Sequence, residues 1–569
     1  MAYTTGFTPI RLLASLLVIA GLWLGFPNTF FSCPLLVLAY PAGLALLGHS
    51  AQTPKKAFLT GWLAASTGHI LTLSWLTVPL SRVGGLPMAA AAPCAVLVAV
   101  ALATQAGLFA LLVRRFWQPA RAASSLALAL AWYFLEYGYA LAAGFPWLPL
   151  SGALIIWPWT MQGADILGAT LTGSLWAGAA LMLTGALLTR QLRPLWGTLV
   201  LALALGSYGL WQLQAHPQTA ATGPDEATKA LPRPVEDRAV FPVLLVEGNI
   251  DQNQKWVEAF RTQTVDTYVT LTREALHRAR VSVQTGQPVP TDQTGQAEPF
   301  HQQDQAGRAL ADYLGRGLIL WPETAMPFDL AHSRHTRRLM TLCVEAGMPL
   351  LTGAPGMERG AGGATHVYNR VWLLDAYGSP AGSYDKEHLV PFGEYVPAFL
   401  RWDFLASLLQ EVGAYSAGTR TAPLRQRSLA LGPLICYEAV FPWLAQERVA
   451  KGANVLIDVS NDGWFGDTAA PWQHLALTGL RALEQNRWLV RCTNTGISAI
   501  FDARGRLVFS GPQFQAQALW AQARIEETTS LFHELFYVLP VFCALLLAGL
   551  LCLTRKPIAN PSGTIRRIQ

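Results

Sequence analysis

Apolar residues follow two different patterns along this chain, and the patterns divide it into two parts. Eight uninterrupted apolar stretches, each long enough to cross a bilayer, occupy the first part of the chain and its end. Between the seventh and the eighth, short apolar runs bounded by Gly and Pro alternate with segments of helical periodicity, which is typical of buried strands and helices. Hydropathy therefore predicts an α-helical transmembrane bundle joined to a soluble α/β domain. The eight spans are expected at 10–26, 33–49, 58–80, 87–113, 122–142, 166–188, 195–213 and 534–553.

The same pattern sets the expected domain boundaries. Residues 1–213 are predicted to form a bundle of seven spans, and 214–239 a polar linker that contains proline. The soluble domain is expected at 240–533, followed by the eighth span at 534–553 and a cytoplasmic tail at 554–569. Within the soluble domain, strands are predicted at 243–246, 318–321, 349–352, 371–375, 433–436 and 454–458, and helices near 255–280, 334–346 and 472–488.

One segment of the soluble domain departs from this alternation. Residues 283–308 are rich in Gln, Thr, Gly and Pro and hold few apolar residues. A segment of that composition cannot bury enough apolar surface to offset the entropy of ordering it. We therefore expect a disordered insertion there.

Composition agrees with a membrane protein. The 569 residues are 52% hydrophobic and only 13% charged, against about 25% charged in ordinary soluble proteins. The formal net charge of +6 is small for this length and does not indicate a nucleic-acid partner. The seven cysteines form no CxxC pair, and His388 and His474 have no partners at metal-ligand spacing, so no metal site is predicted.

Basic residues predict the orientation of the spans. They lie in alternate loops and in the C-terminal tail, whereas the remaining short loops between spans hold only Arg82. Because cytoplasmic loops carry the excess of Lys and Arg, both termini are expected in the cytoplasm and residues 214–533 in the periplasm. The residues concerned are Lys55, Lys56, Arg114, Arg115, Arg121, Arg190, Arg193, Arg555, Lys556, Arg566 and Arg567.

Two apolar segments outside the spans each have two interpretations. The uncharged loop 144–151 (GFPWLPLS) is typical of an aromatic belt at the membrane interface, and the alternative is a docking or lipid-entry role. The segment 395–409 is either ordinary helical core or a mobile arm that dips into the bilayer and admits acyl chains.

Three residues at predicted strand ends carry the candidate chemistry. Glu323 and Cys436 each end a short apolar run, and Lys386 lies in the polar sequence YDKEH. A cysteine attacks as its thiolate, so a base such as Glu323 must take the proton. The ammonium group of Lys386 would stabilise the oxyanion that forms on an attacked ester or amide. This set predicts acyl transfer through a thioester.

The local sequences around these residues resemble a known family. WPET at 321–324, YDK at 384–386 with PFGE at 391–394, and ICYE at 435–438 are similar to the three catalytic motifs of the nitrilase (carbon–nitrogen hydrolase) superfamily. Its members use a Glu-Lys-Cys triad on an αββα sandwich, so the resemblance implies that fold for the soluble domain. Further similarity lies in GNIDQNQKW at 248–256 and SNDGWFG at 460–466.

A nitrilase-like domain between seven leading spans and one trailing span resembles the plan of the apolipoprotein N-acyltransferases. That resemblance implies a phospholipid donor, whose sn-1 acyl chain passes to Cys436 as a thioester. It implies as acceptor the α-amine of a diacylglyceryl-cysteine at the N-terminus of an apolipoprotein. The reaction would complete lipoprotein maturation in the bacterial inner membrane, with the lipid bilayer excluding water and with no cofactor.

The motif matches add four supporting residues. Glu394 and Glu438 are expected to orient the triad, and Tyr437 to contribute a backbone N–H near the oxyanion. For Trp256, simple packing and contact with substrate are equally acceptable interpretations.

Two other functions remain as alternatives. A membrane-tethered nitrilase-like amidase would use the same triad and differ only in substrate. A transporter or scaffold with a non-catalytic binding domain would belong to another class. The predicted spans hold almost no charge, whereas transport pathways usually require some, which argues against the second alternative.

Overall fold

The structure, a computed structural model, describes residues 7–82, 84–217, 237–285, 300–360, 363–391, 393–395 and 415–554. The proposed arm at 395–409 lies outside these residues except for Tyr395. The α-helices in chain order are α1 Phe7–Gly25, α2 Ala39–Ser50, α3 Pro54–Thr72, α4 Thr77–Arg82, α5 Met88–Leu102, α6 Thr104–Phe116, α7 Ala122–Ala143, α8 Leu150–Leu154, α9 Ala164–Thr189, α10 Leu192–Ala215, α11 Gln252–Lys255, α12 Arg261–Thr285, α13 Phe300–Gly315, α14 Thr336–Ala346, α15 Pro442–Ala450, α16 Ala470–Gln485, α17 Leu531–Leu535 and α18 Leu539–Leu553.

Apolar helices occupy the positions of the predicted spans, but their lengths differ. Within the described residues, four helical segments are long and apolar enough to cross a membrane, judged by length and composition. The apolar segments Pro9–Gly25, Pro34–Ser50 and Leu539–Leu553 are shorter, and α3 ends at Thr72, well before the predicted end at 80. Apolar helices are thus present where the sequence places them, and the count of eight spans is not confirmed. The four long segments are Met88–Phe116, Ala122–Ala143, Ala164–Thr189 and Leu192–Ala215.

Two six-stranded sheets form the centre of the soluble domain, with strand orders β12-β1-β2-β3-β4-β5 and β11-β10-β9-β8-β7-β6. In each sheet, three strands are parallel (β1 to β3, and β7 to β9) and the others pair antiparallel. The strands in chain order are β1 Val240–Glu247, β2 Leu318–Leu320, β3 Leu350–Arg359, β4 Thr365–Leu374, β5 Pro380–Asp385, β6 Leu424–Gln426, β7 Leu429–Ile435, β8 Val455–Ser460, β9 Leu489–Thr493, β10 Ala499–Phe501, β11 Leu507–Ser510 and β12 Gln517–Arg524.

Burial on both faces of the strands explains their continuous apolar runs. On β1, Val243 and Leu245 join the core between the two sheets, while Leu244 and Val246 join the core beneath α12, α13 and α14. Successive side chains of a strand point to opposite faces, so a strand that is buried on both sides must be apolar throughout. The predicted αββα sandwich is confirmed.

The second sheet is covered by α15 and α16, and this layer continues into the bundle. Leu444 of α15 and Leu480 of α16 belong to the same buried cluster as Leu154 and Trp176 of the bundle. The helical layer of one sheet therefore also forms the surface on which the bundle packs.

Helix α9 of the bundle is kinked, and a hydrogen bond to α16 stabilises the kink. Gly168 has φ +73° and ψ 160° inside the helix, which leaves the following N–H without a helical partner. The Ala169 N–H instead donates to Glu484 Oε1 of α16 at 2.9 Å. A Cβ at Gly168 would lie 2.4 Å from the Phe532 ring, so the conformation and the space both require glycine.

The predicted disordered insertion is partly wrong. Residues 300–308 belong to α13, whose Leu310, Tyr313 and Leu314 are buried at helical spacing. These three apolar residues anchor a helix whose first half is polar, which composition alone does not reveal. Residues 286–299 lie outside the described part of the chain.

Candidate active site

The three predicted reactive residues meet at one end of the sandwich. Glu323 is the third residue after β2, Lys386 directly follows β5, and Cys436 directly follows β7 of the facing sheet. Their exposed fractions are 5%, 1% and 7%. The strand ends thus bring a carboxylate and an ammonium group within 3.7 Å of each other, and the charges of both act on the thiol, in a buried cluster that we call the pocket.

Lys386 lies between two carboxylates. Its Nζ is 2.9 Å from Glu394 Oε2 and 3.7 Å from Glu323 Oε1. Burial alone would lower the pKa of Lys386, but the charges of Glu394, Glu323 and Cys436 outweigh it and hold that pKa above its ordinary value. Lys386 therefore stays a cation throughout the working pH range.

Asn369 on β4 joins the two carboxylates, and sequence reasoning missed it. Its Nδ2 donates to Glu323 Oε1 at 2.7 Å and to Glu394 Oε1 at 2.8 Å. Glu394 also accepts from the Val390 N–H at 2.8 Å. Asn369 stands beside Arg370, just before the apolar end of β4 at 371–374, so only its burial in the structure marks it as a site residue.

Glu323 is held through only one of its two carboxylate oxygens. Oε1 accepts from Asn369, whereas Oε2 is buried and has no hydrogen-bond partner among the described residues. A buried carboxylate oxygen without a donor is costly, so it is a natural acceptor for a proton. This arrangement suits a general base.

Cys436 occupies a left-handed backbone conformation, with φ +53°. A non-glycine residue in this region stores strain and marks a tight turn between a strand and a helix. Burial raises the pKa of the Cys436 thiol well above its ordinary value; the Glu323 charge raises it further and Lys386 opposes this. The resting residue is therefore a neutral thiol that needs a base.

His474 of α16 holds the Cys436 backbone. Its Nε2 is 3.1 Å from the Cys436 carbonyl oxygen, and because a carbonyl can only accept, Nε2 carries the hydrogen. His474 Nδ1 lies 3.0 Å from Arg491 Nη2 and 3.2 Å from Asp462 Oδ1, between a guanidinium and a carboxylate. The strained turn is thus fixed by the helix that covers its own sheet.

Glu438 connects the Cys436 turn to the Lys386 loop. Its carboxylate accepts from the Ile435 N–H at 2.8 Å, from the Glu387 N–H at 2.7 Å and from the His388 N–H at 3.0 Å. The Tyr384 hydroxyl donates to it as well, at 2.8 Å. Both carboxylate oxygens are saturated, which suits a positioning residue.

Tyr437 reaches away from the pocket, towards the bundle. Its hydroxyl donates to the Gly144 carbonyl, and its ring stacks on Phe145 and Trp147 with centroids 6.3 Å apart in both pairs. Trp147 is buried and donates to Gln473 Oε1 of α16 at 2.8 Å. Trp147 is therefore buried against α16, which contradicts the aromatic-belt interpretation for this residue, and the docking or lipid-entry role stays a prediction.

Trp256 does not pack in the core. Its side chain is 42% exposed, which removes the packing interpretation. The preceding Lys255 is fully buried and donates from Nζ to the Glu323 backbone carbonyl at 3.1 Å. Sequence reasoning selected the tryptophan of the 248–256 run and passed over the lysine beside it.

Cys436, Asp462 and His474 are the one group of potential metal ligands among the described residues, with ligand atoms within 4.8 Å of one another. The Asp462 carboxylate is paired with Arg491 at 2.8 Å, and both His474 nitrogens already have hydrogen-bond partners. A guanidinium beside the carboxylate opposes a second cation. These residues fit a charge network and do not fit a metal.

Comparisons with known proteins identify both parts of the chain. Residues 20–186 match the model of the apolipoprotein N-acyltransferase N-terminal domain, and 262–531 match that of the carbon-nitrogen hydrolases. The apolipoprotein N-acyltransferase of Geobacter metallireducens is 31% identical over 90% of this chain and 89% of its own. The relative from Azotobacter vinelandii is 32% identical over 84% of this chain and 83% of its own. The relative from Allorhizobium ampelinum is 33% identical over 82% of this chain and 79% of its own.

Identity at this level over most of both chains, together with matches to both domain models, covers the bundle as well as the sandwich. The chain therefore belongs to the apolipoprotein N-acyltransferase family, within the carbon–nitrogen hydrolase superfamily.

Proposed function

We propose that this protein transfers an acyl chain from the sn-1 position of a phospholipid to the α-amine of a diacylglyceryl-cysteine on an apolipoprotein. The observation that carries the proposal is the buried Cys436 thiol beside Glu323 and the Lys386–Glu394 pair, in a domain that packs on an apolar helical bundle. The names of the relatives support the same acceptor and reaction.

In the first half-reaction, Glu323 takes the Cys436 proton and the sulfur attacks the ester carbonyl. The new S–C bond gives a tetrahedral oxyanion, which the Lys386 ammonium stabilises. As the ester C–O bond breaks, Glu323 returns the proton to the leaving oxygen. Lysophospholipid departs, and the acyl chain remains on Cys436 as a thioester.

In the second half-reaction, the α-amine of the acceptor attacks the thioester carbonyl. The N–C bond forms, Glu323 takes a proton from the nitrogen, and the C–S bond then breaks. That proton returns to the Cys436 sulfur, which restores the resting thiol. Atoms and charges balance without any cofactor.

The supporting residues act through position. Glu394 and Asn369 fix Lys386 and Glu323, and Glu438 sets the distance between the Cys436 turn and the Lys386 loop. We assign to the Tyr437 N–H a place near the oxyanion and to the exposed Trp256 a contact with lipid.

The domain plan follows from the same reasoning. We place the sandwich (240–533) in the periplasm, on a bundle (1–213) with both termini in the cytoplasm of a bacterium, because the basic residues lie in alternate loops and in the C-terminal tail. Segments 214–239, 534–553 and 554–569 serve as linker, closing span and tail. Both lipid substrates would then reach the pocket from the outer leaflet of the inner membrane.

A two-substrate assay tests the proposal. Purified protein in detergent is mixed with a phospholipid and a synthetic diacylglyceryl-cysteine peptide, and the products are read by mass spectrometry. We expect a triacylated peptide and one lysophospholipid per transfer, and neither product with Cys436→Ala. An N-acetylated peptide serves as the control that cannot accept. Release of free fatty acid alone, with no peptide product, would favour the amidase alternative and contradict the proposal.

A further inference from the structure

We propose that Lys255 is a second cation of the catalytic centre, a positioning residue that holds Glu323 and offsets the negative charge which moves between Glu323 and the reacting lipid. The inference rests on the proposed function and deepens it, because it concerns the same pocket. Neither the motif comparison nor the chemistry of the triad requires a second lysine.

The position of Lys255 is unusual for a lysine. It ends the short helix α11, its side chain is fully buried, and its Nζ donates to the Glu323 carbonyl at 3.1 Å. Removing an ammonium group from water is costly unless charges or hydrogen bonds compensate. The adjacent Trp256 is 42% exposed, so the complete burial of Lys255 is not shared by its neighbour.

The charges of the neighbouring side chains compensate the buried ammonium group of Lys255. Glu323 and Glu394 supply two carboxylates, and Lys386 and Lys255 supply two ammonium groups. With Cys436 as a thiol, these five groups are neutral together. When Glu323 takes the thiol proton, its own charge is lost, and one negative charge appears on the substrate oxyanion. The two lysines then balance the oxyanion and Glu394, so the total charge stays at zero. Without Lys255, the same pocket would carry one uncompensated negative charge in water-poor surroundings at every step.

Lys386 cannot supply this compensation alone. Its Nζ contacts both oxygens of Glu394 at 2.9 Å, so much of its charge is already offset by that carboxylate. Lys255 forms no ion pair with a carboxylate within the described residues, and the charges of Glu323 and Cys436 are the ones that act on it. It is therefore the cation whose field remains available for Glu323 and the reacting sulfur.

The titration of Lys255 gives this role a signature. Burial lowers the pKa of Lys255 to about 8, and the facing groups Glu323 and Cys436 limit that fall. Lys386, whose Nζ is 3.7 Å from Glu323, has a pKa held above its ordinary value, and the pKa of Cys436 is also raised, so neither group changes its charge near neutral pH. Lys255 is thus the group of this cluster that loses its charge just above neutral pH.

The experiment follows acyl-enzyme formation by intact-mass spectrometry after mixing with phospholipid alone, between pH 6 and 10. The variants are Lys255→Met, which keeps the length and removes the charge, and Lys255→Arg, which keeps the charge at every pH used. Lys451→Met removes an exposed lysine of the same domain and serves as the control. Thermal unfolding is measured for each protein.

We expect a wild-type rate that falls as pH rises through about 8. In Lys255→Arg, the rate of acyl-enzyme formation should not decrease near pH 8. In Lys255→Met, that rate should be about 100-fold lower at neutral pH and should also show no decrease near pH 8. If Lys255→Met does not fold, the comparison of wild type with Lys255→Arg decides the matter. Wild-type rate and pH profile in Lys255→Met would overturn the inference, as would a fall near pH 8 that persists in Lys255→Arg. Absence of any acyl-enzyme in wild type would instead count against the proposed function.

Discussion

Two buried carboxylates near Cys436 differ in how completely they are hydrogen-bonded. Glu438, in the turn after β7, accepts from three backbone N–H groups and the Tyr384 hydroxyl. Glu323, in the segment after β2, has one oxygen bound by Asn369 and the other without a partner. The saturated carboxylate is suited to hold geometry, and the unsaturated one to accept a proton. The two regions should therefore respond differently to the loss of charge.

The largest effect is expected where the proton acceptor is removed. Glu323→Gln keeps the shape and the acceptor oxygen for Asn369 but cannot take the thiol proton. The rate of acyl-enzyme formation should fall about 1,000-fold with little change in thermal stability. Stopped reactions with phospholipid, read by intact mass, measure this rate. The half-exposed Glu447, whose Oε2 is 3.8 Å from Arg448 Nη1, gives the matched control Glu447→Gln. A Glu323→Gln rate near that of the control would remove Glu323 from the role of base.

A smaller loss of rate, together with a loss of stability, is expected at the other carboxylate. Glu438→Gln replaces one acceptor oxygen by an amide nitrogen that faces backbone donors. Unpaired buried donors cost about 1–3 kcal/mol, so the unfolding temperature should drop clearly. The rate should drop about 100-fold because the Cys436 turn and the Lys386 loop lose their common anchor. Calorimetry and the same mass assay check both; an unchanged unfolding temperature would contradict the positioning role.

An intermediate case is Asn369, which touches both carboxylates of the reacting region. Asn369→Leu removes the donor to Glu323 and to Glu394 while it preserves bulk. The expected loss is about tenfold in rate, equivalent to ~1.4 kcal/mol. Asn369→Asp should be worse than Asn369→Leu, because a third carboxylate repels the other two. The opposite order of the two variants would show that Asn369 acts through packing rather than charge.

The smallest effect on chemistry is expected at the joint with the bundle. Gln473 accepts from the indole N–H groups of Trp75 and Trp147, and donates to the Pro27 carbonyl at 3.1 Å. Gln473→Met leaves those donors unpaired, which should cost about 2 kcal/mol of stability. The rate of acyl-enzyme formation should stay near wild type once the protein is folded. A large loss of rate with unchanged stability would instead mean that the joint takes part in the reaction.

Much of the sandwich could be predicted because the information is local. Short apolar runs predicted the strands that precede Glu323 and Cys436. A strand that is buried on both faces must be apolar throughout, so its sequence alone reveals it. Glu438 and Glu394 were accessible through their motifs. Local pattern failed at Asn369, Lys255 and His474, since each owes its role to a partner distant along the chain.

The bundle shows the converse limit. Hydropathy located its apolar helices but could not fix their lengths, because breaks depend on tertiary contacts. One such contact is at the kink of α9, where Gly168 has a positive φ. The Ala169 N–H that this kink frees donates to Glu484, more than 300 residues away. Loop 144–151 was assigned to the membrane interface because aromatic residues are common there, whereas its Trp147 is buried against α16.

The central claim is that Cys436 carries the acyl chain, and intact-mass spectrometry of the protein incubated with phospholipid alone tests it most directly. Wild type should gain the mass of one acyl chain, hydroxylamine should remove that mass, and Cys436→Ala should show no gain. A gain that persists in folded Cys436→Ala, or lysophospholipid release that does not depend on Cys436, would contradict the account.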